Sequence, residues 1–378
     1  MKKIIGTLII VFFSCISLMA QYTVRLVVNS VATKKQDDIF VTGSFNKWNP
    51  GDINYKLKPF GPTRKAIVLK DIPTGKLEFK FTRGSYDKVE TTASGNDIEN
   101  RTADVQADIS IDITIPGWRD DYPDKPKPNT ATAQVQLLDS AFLIPQLNRT
   151  RRIWVYLPKS YNQTKGKYYP VLYMQDGQNL FSEKTAAFGE WGVDECLDSL
   201  QQKTGKEYIV VGIDHGGDKR QTEYNPYDND KYGKGEGKQY VDFLVITLKP
   251  FIDNKFRTIK DYAHTAIAGS SLGALISLYA IIQYPKTFGA AGIFSPSLWI
   301  APQIYEDAQA AKWTSLPRFY FYAGSKEGET TVPDLKRMYE LIAAKNNYDI
   351  QEIVYPLGQH NEAYWRKEFA NFYQWLVK

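Results

Sequence analysis

A proline-rich segment divides this sequence into two stretches with different patterns, and this division constrains the fold more than any other feature. The segment, residues 120–130 (DDYPDKPKPNT), carries three prolines among charged side chains. Such a stretch can neither bury much apolar surface nor join the hydrogen-bond ladder of a sheet, which is typical of a semi-rigid linker. We place the linker at residues 118–130, between domains at 21–117 and 131–378.

The first domain, residues 21–117, has the pattern of a small all-β protein. Short alternating or β-branched segments are separated by turn residues, and no segment has the periodicity of a helix. A series of short strands over about a hundred residues predicts an immunoglobulin-like β-sandwich. The predicted strands include residues 22–28, 38–43, 77–81 and 109–114.

In the second domain, residues 131–378, strands alternate with helices. Several of the strands are nearly continuous apolar runs, as expected for strands that are covered on both faces. This alternation predicts an α/β fold with a mainly parallel sheet. Strand patterns occur at residues 152–157, 169–174 and 208–213, and helical patterns at 240–251, 272–283 and 335–344.

The first twenty residues have the pattern of an export signal. They begin with a pair of lysines, continue with a mostly apolar run and end in the small residue Ala20. The apolar run is short for a membrane span, so we predict no transmembrane segment. We therefore expect a secreted or periplasmic protein, with lipid anchoring at Cys15 as an alternative outcome.

Charge and composition exclude some classes of partner. The formal net charge is +5, and no block of Lys or Arg of the kind that follows a phosphate backbone is present, so nucleic acid is not an expected partner. The few histidines and cysteines are scattered without zinc-like spacing, so we predict neither a metal nor another cofactor. After cleavage Cys196 is the only cysteine, and its surroundings indicate a half-buried helix residue rather than a nucleophile.

A strand, a tight turn and a helix follow one another around Ser271. Residues 265–268 are strand-like, 269–273 read GSSLG, and 274–280 are helix-like. Glycines two positions before and after a serine allow a sharp turn that exposes the hydroxyl at the carboxyl edge of a sheet. The helix N-terminus also favours developing negative charge. We therefore predict that Ser271 is a catalytic nucleophile.

A serine hydroxyl needs a base to take its proton, and three histidines are candidates. His360 lies directly after the predicted strand 350–355, where an α/β-hydrolase carries its base in the chain order nucleophile, acid, base. His264 precedes the strand of Ser271 and lies at its wrong end, so we interpret it as structural. His215 follows another strand end and is expected to line the pocket mouth as a possible substrate-binding residue.

The acid that orients the base is expected after the strand at 319–324. Glu327 is closest to the end of that strand and has a glycine on either side, so we select it to hold the imidazole in the correct tautomer. Glu329 and Asp334 are alternatives, although Asp334 is better placed to begin a helix.

Two backbone N–H groups are needed to stabilise the oxyanion of an acyl-transfer reaction. One is expected from Leu272, directly after the nucleophile, and the other from Gln178 in the loop after the strand at 169–174. In comparable sites each such donor accounts for roughly two to three orders of magnitude in rate.

The motifs of the second domain resemble the putative-esterase (esterase D-like) family, which includes feruloyl, acetylxylan and siderophore esterases. The resemblance covers the whole second domain and implies Ser271, Glu327 and His360 as a triad, although many relatives have aspartate as the acid. Arg220 and Glu223 are expected to form an internal ion pair rather than to touch substrate. The matching segments are 173–181 (YMQDGQNLF), 190–194 (EWGVD), 220–226 (RQTEYNP), 269–273 (GSSLG) and 358–365 (GQHNEAYW).

The first domain is similar to starch-binding carbohydrate-binding modules of families 20 and 48. The similarity lies in residues 41–50 (VTGSFNKWNP), 79–81 (FKF), Glu90 and 100–101 (NR). It implies that Trp48 stacks on a sugar beside Lys80. Val89 stands where the second tryptophan of family 20 is expected, and Trp48 as a packing residue is an equal alternative.

Together these features predict an exported serine esterase that removes acetyl or feruloyl groups from a polysaccharide or oligosaccharide. A siderophore or other small-molecule esterase is an alternative, because the same triad would serve it. A non-catalytic carbohydrate-binding protein is an alternative of another class. We expect Trp191 and Trp365 to be packing residues rather than sugar platforms.

Overall fold

The computed structural model describes residues 20–122, 126–313, 316–345 and 349–378. The chain forms two compact units, Met1–Lys125 and Pro126–Lys378. Residues 1–19 of the predicted export signal, including Cys15, lie outside the described residues. Among the helices of the described ranges, none is long and apolar enough to cross a membrane.

The first unit consists of short strands in three sheets. A four-stranded sheet has the order β3-β4-β1-β8, a three-stranded sheet has the order β2-β5-β7, and β6 pairs with β9. All pairs are antiparallel except β1 with β8. The strands are β1 Gln21–Val31, β2 Phe40–Gly43, β3 Lys58–Phe60, β4 Arg64–Pro73, β5 Gly75–Thr82, β6 Glu90–Thr91, β7 Arg101–Val105, β8 Ile109–Ile115 and β9 Gly117–Trp118.

Apolar side chains from the two larger sheets form one core in this unit. Leu26 of β1 and Phe79 of β5 are both buried in it. Trp118 is fully buried in the same core, and its indole Nε1 donates to the carbonyl of Thr33 at 3.3 Å. The chain through Trp118 therefore packs with the first unit, so the predicted linker of 118–130 begins too early.

The second unit is built on one eight-stranded sheet with the order β10-β11-β13-β12-β14-β15-β16-β17. The pairs β10–β11 and β11–β13 are antiparallel, and the other pairs are parallel. The strands are β10 Val135–Ile144, β11 Arg149–Tyr156, β12 Val171–Gln175, β13 Ile209–Ile213, β14 Thr265–Ser270, β15 Ala290–Phe294, β16 Arg318–Gly324 and β17 Ile350–Tyr355.

Helices connect these strands. A π-helical segment, Phe243–Leu248, continues α3 into α4, so that helical structure runs from residue 237 to 255. The helices are α1 Val193–Thr204, α2 Arg220–Glu223, α3 Gly237–Asp242, α4 Lys249–Lys255, α5 Leu272–Gln283, α6 Ile304–Ala310, α7 Thr331–Ala343 and α8 Glu362–Leu376.

The helices cover both faces of this sheet. Successive side chains of a strand point to opposite faces. In β12 this places Val171 and Tyr173 in the same core as α5, and Leu172 and Met174 in the core that contains apolar residues of α1 and α8. Burial on both faces explains why the central strands have apolar runs rather than alternating patterns. The carboxyl ends of the parallel strands lie at one edge of the sheet, where ligands bind in open α/β folds.

Candidate active site

Ser271 lies on a strained turn between β14 and α5. Its backbone has φ 58° and ψ −122°, a region that few residues with a side chain adopt. The turn is tight because a Cβ on Gly269 would lie 2.6 Å from the carbonyl oxygen of Gly273. A Cβ on Gly273 would lie 3.0 Å from the Cβ atom of Gln175, at the end of β12. Both glycines therefore allow the close packing that exposes the Ser271 hydroxyl.

The hydroxyl of Ser271 is hydrogen-bonded to a second serine. Its Oγ lies 3.1 Å from Oγ of Ser297, and the N–H of Ser297 donates to the Ser271 carbonyl at 3.2 Å. The N–H of Ser271 donates to the carbonyl of Phe294 at 2.9 Å, which fixes the turn against the end of β15. Among the described residues, no hydrogen bond joins Ser271 to His360, and the side-chain partner of the Ser271 hydroxyl is Ser297.

His360 and Glu327 form a hydrogen-bonded pair. Nδ1 of His360 lies 3.0 Å from Oε2 of Glu327, whose side chain is fully buried. The edge of the imidazole also meets Trp365, with 5.1 Å between ring centroids. Of the two other predicted acids, Glu329 is exposed, and Asp334 accepts hydrogen bonds from the hydroxyl of Tyr305 instead.

The second oxygen of Glu327 is fixed by a residue that we did not predict. Its Oε1 accepts from the hydroxyl of Ser295 at 2.7 Å and from the N–H of Gly324 at 2.6 Å. Ser295 is fully buried, has φ 48°, and accepts from the indole Nε1 of Trp365 at 2.9 Å. Trp365, Ser295 and Glu327 thus form a hydrogen-bonded chain that ends at the base. The sequence signal was the SPS segment at 295–297, directly after β15.

The two predicted oxyanion donors occupy turn positions where backbone N–H groups lack helical partners. Leu272 is the first residue of α5, and such a residue has no acceptor within its helix. Gln178 lies in the short turn Gly177–Asn179, where its N–H has no acceptor among the described residues. The side-chain oxygen of Gln178 accepts from the N–H of His215 at 3.2 Å.

Comparison with known proteins identifies the family of the second unit. The sequence model of the family described as "Putative esterase" matches residues 144–376, which is more than half of the chain. The chain belongs to this family. It is therefore a carboxylic ester hydrolase, and the predicted α/β-hydrolase fold after a β-rich first unit is confirmed.

Individual relatives agree with this assignment. The uncharacterised protein YbbA of Bacillus subtilis (strain 168) is 28% identical over 247 residues, 60% of this chain and 92% of that protein. The endo-1,4-beta-xylanase/feruloyl esterase of Xylanibacter ruminicola is 27% identical over 242 residues, 59% of this chain and 29% of that protein. The solved enterobactin esterase of Shigella flexneri shares the fold, with a TM-score of 0.54 and 16% identity over 90% of this chain and 87% of that one.

The other two histidines of the esterase have different surroundings. His215 lies beside the turn Gly177–Asn179, and its Nδ1 accepts from the N–H of Gly217 at 2.9 Å. Burial lowers the pKa of His215, which favours the neutral ring. His264 instead precedes β14 at the end opposite Ser271, and its Nδ1 lies 2.7 Å from Asp261. The structural interpretation of His264 agrees with this place.

Arg220 and Glu223, in the loop after β13, do not form the ion pair that we predicted. Arg220 binds the carboxylate of Asp176 with Nε and a terminal nitrogen, at 2.7 and 2.8 Å. Glu223 is fully buried and accepts from Arg149 at 2.7 Å. Arg220 and Glu223 therefore pair with residues of other segments rather than with each other. The Arg220–Asp176 pair fixes the start of the turn Gly177–Asn179, where Asp176 has φ 56°.

Aromatic residues near the nucleophile divide into packed and exposed ones. Trp191 and Trp365 are buried and lie with ring centroids 5.8 Å apart, so the packing interpretation is confirmed. Trp299, two residues after Ser297, is instead 55% exposed. Its ring meets the edge of Tyr232 with 6.1 Å between centroids. The exposed Trp299 thus lies on the loop that carries the hydrogen-bond partner of Ser271, and it packs on the half-buried Tyr232 of another segment.

In the first unit, the two predicted sugar-binding residues line the same cavity. Trp48 and Lys80 lie at a cavity of about 460 Å³ that Tyr86, Asn100 and other polar residues complete. The hydroxyl of Tyr86 donates to the Trp48 carbonyl at 2.6 Å, and Tyr86 is 45% exposed. Val89, at the position expected for a second tryptophan, is buried and also reaches this cavity.

Proposed function

We propose that this esterase is a serine esterase that removes acyl groups, acetyl or feruloyl, from a polysaccharide or oligosaccharide. Ser271 is the nucleophile, His360 the general base and acid, and Glu327 the residue that orients His360. The observation that carries the proposal is the 3.0 Å contact between His360 and a buried Glu327, with Ser271 on its strained turn.

In the first half of the reaction, Oγ of Ser271 attacks the ester carbonyl carbon while Nε2 of His360 takes the hydroxyl proton. The carbonyl π bond opens, and the negative charge moves to its oxygen, where the N–H groups of Leu272 and Gln178 donate to it. When the carbonyl re-forms, the bond to the alcohol breaks, and the departing oxygen takes the proton from His360. The products are an acyl-Ser271 and a free alcohol.

In the second half, a water molecule attacks the acyl-enzyme. His360 takes a proton from the water, the same N–H groups hold the oxyanion, and Ser271 recovers the proton as the acid is released. Glu327 keeps the proton of the neutral imidazole on Nδ1 and stabilises the imidazolium in both halves. The helix N-terminus of α5 adds positive potential at the developing charge.

Three observations support an acylated carbohydrate as substrate. Trp299 is an exposed aromatic side chain two residues after the hydrogen-bond partner of Ser271, and its ring suits an aromatic acyl group or the face of a sugar ring. In the first unit, Trp48 and Lys80 line a cavity of about 460 Å³ in a domain similar to carbohydrate-binding modules. A relative in Xylanibacter ruminicola is described as a xylanase and feruloyl esterase.

The test is a substrate screen with the purified protein and its Ser271→Ala variant. We expect the wild type to release acetate or ferulate from acylated xylan fragments, and the variant to lose at least about a thousand-fold in kcat. Hydrolysis of a ferric trilactone but of no sugar ester would support a siderophore esterase instead. Retained activity in Ser271→Ala on p-nitrophenyl acetate would contradict the proposed nucleophile, and a fluorophosphonate probe that fails to label Ser271 would support the non-catalytic alternative.

We also propose that the protein is exported. The pattern of its first twenty residues supports this proposal. Expression of the full sequence followed by N-terminal sequencing of the exported product tests it. We expect a mature chain that begins at Gln21, whereas a product that begins with a lipidated Cys15 would indicate membrane anchoring.

A further inference from the structure

Glu362 is a buried carboxylate beside the site, and the proposed mechanism does not use it. It is the first residue of α8, two positions after His360, and is only 7% exposed. Its Oε1 accepts a long hydrogen bond of 3.4 Å from the side-chain amide of Asn179. Asn179 belongs to the oxyanion turn with Gln178. Glu362 therefore connects the segment that carries His360 with the turn that carries Gln178.

No cation of the described residues neutralises this carboxylate. Arg220 is the nearby positive group, but both of its hydrogen-bonding nitrogens face Asp176. Burial raises the pKa of Glu362, and the negative charge of Asp176 adds to the rise, while the backbone N–H of Glu362 itself, His360 and Arg220 oppose it. A buried carboxylate without an ion-pair partner costs folding free energy, so such a group beside the candidate triad points to a function.

Stabilisation of α8 does not account for this position. An acidic residue in the first turn interacts favourably with the helix dipole, but an exposed side chain would do so equally well. The N-cap of α8 is already Asn361, whose side chain accepts from the N–H of Tyr364 at 3.4 Å. The helix therefore needs no carboxylate directed towards Asn179.

The chemistry of the site indicates which part of the substrate meets Glu362. His360 protonates the departing alcohol, so the alcohol half of the ester lies on the His360 side of Ser271. A carboxylate accepts hydrogen bonds and donates none when ionised, so its natural partner is a hydroxyl group. We propose that Glu362 is a specificity-determining residue that accepts a hydrogen bond from a hydroxyl on the alcohol half of the ester. This inference rests on the proposed function, and it narrows the substrate class to esters of polyhydroxylated alcohols.

The test compares two esters of the same acid, a monoacylated sugar and the methyl ester, which lacks the neighbouring hydroxyls. The quantity measured is the ratio of kcat/KM for the sugar ester to that for the methyl ester. A site built to bond a hydroxyl discriminates strongly against analogues that lack it. We expect Glu362→Ala to lower the ratio by about ten-fold or more, and Glu362→Gln, which keeps an acceptor oxygen, to lower it less.

The matched control is Glu340→Gln, an exposed carboxylate on α7, which should leave both rates at the wild-type level. Glu362→Gln also serves if the alanine variant does not fold, as judged by its melting temperature. An equal loss on both esters, or no loss, would overturn the inference, and so would a wild-type enzyme that does not prefer the sugar ester. Failure of the proposed function is distinguishable, because Ser271→Ala would then stay active whatever the Glu362 variants do.

Discussion

Glu327 receives a hydrogen bond from each of three separate segments: the N–H of Gly324, the hydroxyl of Ser295 and the imidazole of His360. The buried carboxylate therefore has one arrangement, and it holds His360 in one orientation. An amide that keeps its oxygen on Ser295 and Gly324 would direct its N–H group at Nδ1 of His360, and this favours the tautomer that carries its proton on Nε2 rather than on Nδ1. Substitution of Glu327 should therefore disturb the orientation of His360.

We expect Glu327→Gln to lower kcat on p-nitrophenyl acetate by about three to four orders of magnitude, with little change in KM, because the imidazole loses its orienting carboxylate. Steady-state kinetics measure this change. The matched control is Glu329→Gln, two positions away and exposed, which should behave as the wild type. If Glu329→Gln is the inactive variant and Glu327→Gln the active one, the acid has been assigned to the wrong residue.

Ser295 is predicted to be a positioning residue. Ser295→Ala leaves Oε1 of Glu327 with only the Gly324 donor and leaves the indole N–H of Trp365 buried without its acceptor. We expect a loss of about 1–3 kcal/mol in the free energy of unfolding and a fall of about ten-fold in kcat at unchanged KM. Denaturant unfolding and steady-state kinetics measure the two effects. A kcat of Ser295→Ala equal to that of the wild type would contradict the role of Ser295.

Among individual residues, the sequence predicts those that lie in a motif or that have a fixed place in the chain order. Ser271 was predicted from its turn, and His360 from its place after the last strand, where the structure has it. Ser295 and Ser297 were not predicted, because β15 is a short run of small and apolar residues that was not recognised as a strand. Without that strand, nothing in the sequence indicates that the loop behind it reaches the nucleophile.

Among the elements, the turn between β14 and α5 has no room for a side chain at Gly269. A Cβ on Gly269 would lie 2.6 Å from the Gly273 carbonyl oxygen, so Gly269→Ala must displace the turn. We expect a loss of about 1–3 kcal/mol in stability and a fall in kcat, because the Ser271 hydroxyl moves with the turn. Thermal unfolding and kinetics measure both. Gly166→Ala, where a Cβ meets no atom within 4 Å, is the control and should be neutral; an equally mild Gly269→Ala would contradict the steric argument.

Several strands of the second unit have bounds close to those that the sequence predicts. The strand at 350–355 has the predicted bounds, and those at 171–175 and 209–213 differ by one or two residues at an end. We did not predict β10, because register shifts interrupt its pairing with β11 and so break the alternation of its side chains. The helical pattern at 240–251 was too short, because the π-helical segment changes the periodicity on which the prediction relied.

Among the described residues, the hydrophobic cores of the two units have no residue in common. The first unit has one core, and the second has a core on each face of its sheet. We therefore expect residues 126–378 alone to fold and to hydrolyse p-nitrophenyl acetate within about two-fold of the full chain. Loss of activity should be confined to polymeric substrates, if the first unit binds glycan. An insoluble or inactive fragment would contradict the independence of the two units.

The division into two units was predictable, but its position was only approximate. Proline and charge mark residues 120–130 in the sequence, whereas the burial of Trp118 depends on Thr33, more than eighty positions away. A local pattern cannot reveal a contact of that kind. The same limit applies to the ion pairs of Arg220 and Glu223, whose partners lie in other strands and loops.

The place of His360 after an edge strand affects how long the enzyme stays active. His360 follows β17, which lies at the edge of the eight-stranded sheet and is only partly buried, whereas Ser271 follows the fully buried β14. Edge strands open locally at a lower free-energy cost than central ones. Local opening of β17 would displace His360 while the rest of the sheet stays intact. The working lifetime of the enzyme is then set by its weakest edge rather than by the melting of its core.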